Sequence, residues 1–206
     1  MGEINSFFLR GLIIGISIAA PVGPIGILCI RRTLVEGRIA GLVSGLGAAS
    51  ADAIYGCIAG FGLTFISIFL VSHQVWLRLI GGAFLCYLGV KTFLSKPAQL
   101  AASEPEHRLA RNYFSTFALT LTNPLTILSF AAIFAGLGLA NAGGNYVTAG
   151  ILVLGVFCGS ALWWLLLTTG VGLFRAKFSE NGLLWVNRIA GAFITAFGLF
   201  ALSSLL

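Results

Sequence analysis

The sequence predicts an all-α membrane protein with six transmembrane helices, arranged as two inverted three-helix repeats whose first and fourth helices are Pro-broken. Three observations carry that reading. The 206 residues are 58% hydrophobic and only 9% charged, with mean hydropathy +1.02, whereas ordinary soluble domains carry about 25% charged residues. Apolar stretches of roughly the 20 residues needed to cross a bilayer recur six times. A pair of prolines interrupts the first of them and a single proline the fourth.

The first span is expected at about Phe7–Ile30. Its apolar run is too long for the core of a cleaved signal, and no small-x-small site closes it. Within it lies Ala20-Pro21-Val22-Gly23-Pro24-Ile25-Gly26. Each proline lacks an N–H and clashes with the preceding turn, while Gly23 and Gly26 permit unusual backbone angles, so the helix should break here. Peptide groups exposed to hydrocarbon are costly, so such a break must be buried in protein or face a watery cavity. The half-helix starting near Pro24 would aim N–H groups at that cavity, favouring an anion such as a substrate carboxylate by roughly 0.3–1 kcal/mol. A purely structural kink is the alternative.

The second span, Ile39–Val71, contains Asp52, with no other charge between Ile39 and Leu70. An ionised carboxylate at mid-bilayer costs roughly 2.5–3.5 kcal/mol, and such residues usually line a cavity or a transport path. Asp52 could bind a substrate ammonium group, carry a coupling proton, or do both alternately; a hydrogen-bonding role between helices is the structural alternative. Tyr55, three positions on, could hydrogen-bond the carboxylate or the substrate. Gly45, Ala48, Ala49 and Gly56 occupy the same helical face or its flank and would let a neighbouring helix approach closely.

The third span is expected at Val75–Leu94 and the fourth at Tyr113–Leu139. The fourth carries Thr120-Leu121-Thr122-Asn123-Pro124-Leu125-Thr126. Asn123 supplies donors and an acceptor, and Pro124 frees a carbonyl one turn earlier. Thr120, Asn123 and Thr126 share part of a helix face if helicity persists, either to bind a substrate's amino and carboxylate groups or to satisfy the broken backbone. In the fifth span, Val147–Phe174, Trp163 and Trp164 lie mid-span, read as packing or as a cavity wall, and Thr168 and Thr169 are expected to back-bond within the helix. Leu183–Leu205 makes the sixth.

Cations set the orientation. Ten of the twelve Lys and Arg residues flank the connections after the first, third and fifth spans: Arg31, Arg32, Arg38, Lys91, Lys96, Arg108, Arg111, Arg175, Lys177 and Arg188. Arg10 and Arg78 are on the other side. The positive-inside rule puts the odd-numbered loops in the cytoplasm and both termini outside. The chain then reads as a single transmembrane domain over 1–206: repeat one at about 1–95, a cytoplasmic connection at about 95–112, and repeat two at 113–206. An odd number of spans per half inverts the second half, and inverted repeats place a binding site where the halves meet.

Other functions are poorly supported. The net charge of +6 lies between spans rather than in a stripe with interleaved aromatics, which speaks against nucleic acid. Cys29, Cys57, Cys86 and Cys158 lie in apolar segments without a CxxC spacing and read as free thiols. His73 and His107 read as solvated loop residues. No metal or cofactor is expected. A nucleophile with its base, or paired carboxylates, is missing from the spans, so no enzyme is expected. A heavy-metal cation exporter would need a better ligand set than one carboxylate and scattered thiols. A structural or assembly subunit is a third reading. Gly41, Gly45 and Ala49 fit packing within a protomer as well as between protomers, so a homo-oligomer is possible.

The landmarks together resemble the LysE family of bacterial amino-acid exporters over nearly the whole chain. The most specific are Pro21-Val22-Gly23-Pro24, Glu36-Gly37-Arg38-Ile39-Ala40-Gly41, Gly45-x-Gly47, Asp52-x-x-Tyr55, Tyr87-Leu88-Gly89-Val90-Lys91 and Asn123-Pro124, in that order. The resemblance implies a six-span exporter in the bacterial inner membrane that moves an amino acid or related small solute outward, using protons. It also implies that the Pro-Gly-Pro segment, Asp52 and Asn123-Pro124 lie near the transport path. Many members follow Asn-Pro with Lys; this chain has Leu125, which leaves its selectivity open.

Overall fold

The computed structural model describes residues 2–21, 23–61, 72–95, 105–123, 126–127, 129–130 and 146–203. Among them are seven α-helices and no strand. The helices are α1 (Gly2–Ala19), α2 (Pro24–Glu36), α3 (Arg38–Gly60), α4 (Gln74–Leu94), α5 (Pro105–Leu121), α6 (Tyr146–Phe174) and α7 (Glu180–Ser203). A short 3-10 turn, Arg175–Lys177, follows α6.

Segments within α3, α4, α6 with its 3-10 turn, and α7 are each long and apolar enough to cross a membrane, so the chain is a multi-pass membrane protein. The break expected in the first span is present: Asn5–Ala19 and Pro24–Glu36 are two helices bent by 81° at the proline cluster. The cause is local. Gly23 is extended (φ −107°, ψ −165°) and Pro24 opens α2, a position where its missing N–H costs nothing.

Expected boundaries moved in two places. α2 runs on through Arg31 and Arg32 to Glu36, so these arginines are helical and buried rather than in the connection expected after the first span. Gly37, at φ 108°, then turns the chain directly into α3. Its left-handed backbone is one that side-chain-bearing residues rarely adopt. α5 begins at Pro105, so part of the expected 95–112 connection, His107 included, is helix rather than loop. The expected fourth span is described as far as Asn123 and at 126–127 and 129–130; the ends of the second and fourth spans fall outside the described residues.

Backbone-close seams hold the bundle. Gly11 and Gly15 of α1 meet Gly155 and Gly159 of α6, and a Cβ at any of the four would collide with the facing backbone. Gly89 of α4 and Gly191 of α7 meet in the same way. In a membrane, where apolar burial does not draw helices together, such close approach supplies the van der Waals contact that does. α3 lies between α5 and α6, with Gly45 against the Trp164 ring and Gly47 against the Tyr113 carbonyl. The small face expected on α3 is therefore used within the protomer.

Candidate functional site

The two helix breaks are built alike. After α1, the Gly23 carbonyl accepts from the Ile27 N–H at 3.0 Å and so starts α2. After α5, the Asn123 carbonyl accepts from the Ile127 N–H at 3.2 Å, and helix resumes at 126–127. In both places the residue preceding a proline in the sequence opens the next helical turn. Pro124 itself lies outside the described residues.

Both breaks line one cavity of about 190 Å³. Pro21, Gly23, Pro24 and Gly26 come from the first break; Thr120, Asn123, Thr126 and Ser129 come from the second. Ala48 and Asp52 of α3 and Trp164 of α6 complete these walls. The volume falls below the roughly 300–1,000 Å³ typical of drug-sized ligand pockets, so it suits a small solute.

Asp52 is 3% exposed. Ser160 of α6 donates its hydroxyl to Asp52 Oδ2 at 2.7 Å, and the Trp164 indole N–H donates to the Ser160 oxygen at 3.2 Å. Among the described residues no cation neutralises Asp52; the one described ion pair joins Arg31 and Glu36 at 2.7 Å. A buried carboxyl held by one hydroxyl, facing a cavity, can meet an ammonium group or exchange a proton.

Tyr55 departs from its expected place. Its hydroxyl donates to the Leu121 carbonyl, not to Asp52, and its ring packs 5.4 Å from Phe130. Leu121 ends α5, and a helix end leaves carbonyls without intrahelical donors, so Tyr55 supplies one. It clasps the second break from α3. Trp164 fulfils both readings weighed for it, since it is buried in the core and walls the cavity. Thr168 back-bonds to the Trp164 carbonyl at 2.7 Å, whereas Thr169 accepts from Arg38 Nη2 at 3.1 Å.

Sequence reasoning missed Ser160 and Ser129. A serine in an apolar helix is unremarkable alone. Its signal was periodic: Ser160, Trp164 and Thr168 form an i, i+4 polar row on α6, and Asn123, Thr126 and Ser129 repeat every three residues. Also missed was a buried polar network at the end of α2. Glu36 accepts from Arg31 Nη1 at 2.7 Å and from Asn112 Nδ2 at 2.8 Å. Arg31 Nε donates to Asn187 Oδ1 at 2.7 Å. Arg32 donates to Ser44, Thr116, the Asn112 carbonyl and Ser115 at 2.7–2.9 Å.

The LysE type translocator family profile matches residues 16–205. The chain is 28% identical over 200 residues to a Bacillus subtilis (strain 168) protein named "Putative amino acid efflux protein YcgF", covering 95% of this chain and 94% of the relative. It is 26% identical over 192 residues to the chemotactic transduction protein ChpE of Pseudomonas aeruginosa, covering 87% and 93%. It is 27% identical over 174 residues to the uncharacterized membrane protein YahN of Escherichia coli (strain K12), covering 82% and 77%. No solved structure matches. With a family match across nearly its full length, this chain belongs to the LysE type translocators.

Proposed function

We propose that this protein exports an amino acid or a closely related small metabolite across the bacterial inner membrane by alternating access, in exchange for protons carried on Asp52. The observation that carries the reading is the convergence of both helix breaks and one unneutralised, buried carboxylate on a single small cavity. The α2 end of the cavity offers N–H groups suited to a substrate carboxylate, and Asp52 suits its ammonium group. Asn123, Pro124 and Thr126 would border the head group; Tyr55 would act at one remove, by holding the second break. The amino-acid efflux named for the Bacillus relative supports the substrate class. A metal cation fits less well, because one carboxylate among hydroxyls and backbone is a poor set of donors for a soft or borderline ion.

Six spans in two inverted repeats remain the best account of the architecture. α1 packs on α6, and α5 packs on α3; exchanging the halves maps one pairing onto the other. The α3–α6 and α4–α7 pairings each map onto themselves. For orientation, contacts from Arg31, Arg32, Arg38 and Arg175 draw the three cationic connections to one end of the bundle. That end would be cytoplasmic.

The test is efflux from proteoliposomes loaded with a panel of labelled amino acids under an imposed inward proton gradient. Wild-type protein should release at least one of them faster than empty vesicles, and Asp52→Asn should not. Efflux of none of the panel would overturn the substrate class, and undiminished gradient-driven efflux by Asp52→Asn would remove its coupling role.

A further inference from the structure

A second, larger concavity lies at the cationic end, between the start of α3 and the end of α6. Its volume is about 1000 Å³, and Arg38, Arg108 and Arg175 line it from three separate elements. Each sits where its helix begins or ends: Arg38 opens α3, Arg108 is in the first turn of α5, and Arg175 directly follows α6. All three residues border the same groove, near helix termini.

Arg38 and Arg175 are held in place by their contacts. The Arg38 stem lies flat across Gly172, where a Cβ would collide with it, and Arg38 Nη2 donates to Thr169 at 3.1 Å. Arg175 Nε donates to the Leu34 carbonyl at 3.0 Å. Those two bonds engage one of the five N–H donors on each guanidinium fork. Glu36 also borders the groove, but its carboxylate oxygens are taken by Arg31 and Asn112 rather than by Arg38 or Arg175.

The walls are apolar and open. Ile39 is 68% exposed, Leu165 46% and Phe178 39%. A hydrophilic anion would have no use for such walls. An amphiphile with a negative headgroup would use both features: phosphate against the guanidinium forks and acyl chain along the apolar side chains. Basic pockets between helices at a membrane surface hold lipid headgroups on this principle.

We infer that this groove is a binding site for an anionic phospholipid. A phosphate bridging Arg38 and Arg175 would tie α3 to the end of α6, and so stabilise the junction on which α2 also rests through Leu34.

Native mass spectrometry of the purified full-length protein, with phosphatidylglycerol and phosphatidylcholine supplied equally, tests this. Wild-type protein should retain phosphatidylglycerol by about tenfold or more over phosphatidylcholine. The variant Arg38→Gln/Arg108→Gln/Arg175→Gln should lose that preference, and Arg10→Gln, outside the groove, should keep it. If the triple variant does not fold, Arg175→Gln alone should lower the preference severalfold. Retention of phosphatidylglycerol in the presence of equimolar inorganic phosphate supports a lipid; displacement by phosphate would make the site one for a free anion and overturn the inference. Equal retention of both lipids by wild type, or an unchanged preference in the arginine variants, would overturn it too.

Discussion

Two buried polar clusters lie along α2 and its neighbours, and they are built on opposite plans. At the C-terminal end of α2, Arg31, Arg32 and Glu36 are surrounded by Asn112, Ser44, Thr116 and Asn187. Charge meets charge, and most donors are answered, although Arg31 Nη2 has no acceptor among the described residues. At the N-terminal end, Asp52 receives one described hydroxyl and faces open volume. Burial is nearly equal in the two places. What differs is whether protein or space completes the bonding. A network completed by protein fastens helices α2, α3, α5 and α7 together, whereas an acid left facing a cavity is available to something that comes and goes.

The largest expected effect breaks the fastened cluster. Glu36→Ala strands the Arg31 guanidinium in a buried site, and breaking a buried pair from one side costs about 3–5 kcal/mol. The thermal unfolding midpoint in detergent should fall sharply, with little monodisperse protein recovered. An unchanged midpoint would show that this cluster does not hold the bundle. Asp52→Asn should do the reverse. Its amide oxygen can still accept from Ser160, so stability should stay within about 1 kcal/mol of wild type while gradient-driven efflux is lost. A large stability loss there would make Asp52 a structural residue.

Smaller effects sharpen the contrast. Ser160→Ala removes the hydroxyl shared by Asp52 and Trp164 and should cost about 0.5–1.5 kcal/mol, with efflux reduced but present. Efflux equal to wild type would show that the orientation of Asp52 does not matter. Tyr55→Phe removes one hydrogen bond to the Leu121 carbonyl and should cost about 1 kcal/mol or less, with most efflux kept. Abolished efflux at unchanged stability would place Tyr55 on the substrate instead.

The same contrast explains what was legible in the sequence. Prolines announce themselves, because a missing N–H acts on the local backbone whatever surrounds it; the break at Pro21–Pro24 was readable for that reason, and Asn123-Pro124 marked the second. Asp52 was readable because no other charge shares its span. Arg31 and Arg32 were read as flanking the first connection, since charges beside a span end usually mean solvent. Only their partners from α5 and α7, about 80 and 155 residues away in sequence, show that they are enclosed. Ser160 was lost among ordinary helix serines for the same reason: its importance is a partner 108 residues distant. Tyr55 was read on helical spacing as a partner for Asp52 or for the substrate, but the orphan carbonyl of a broken helix takes its hydroxyl.

We propose that Asp52, as the acid completing the cavity between the breaks, couples solute movement to protons. Proteoliposome efflux of the transported amino acid, measured with and without an inward proton gradient, tests it most directly when wild type and Asp52→Asn are run together. The gradient should accelerate wild-type efflux and leave the variant at the rate of empty vesicles. Gradient acceleration of equal size in the variant would contradict it.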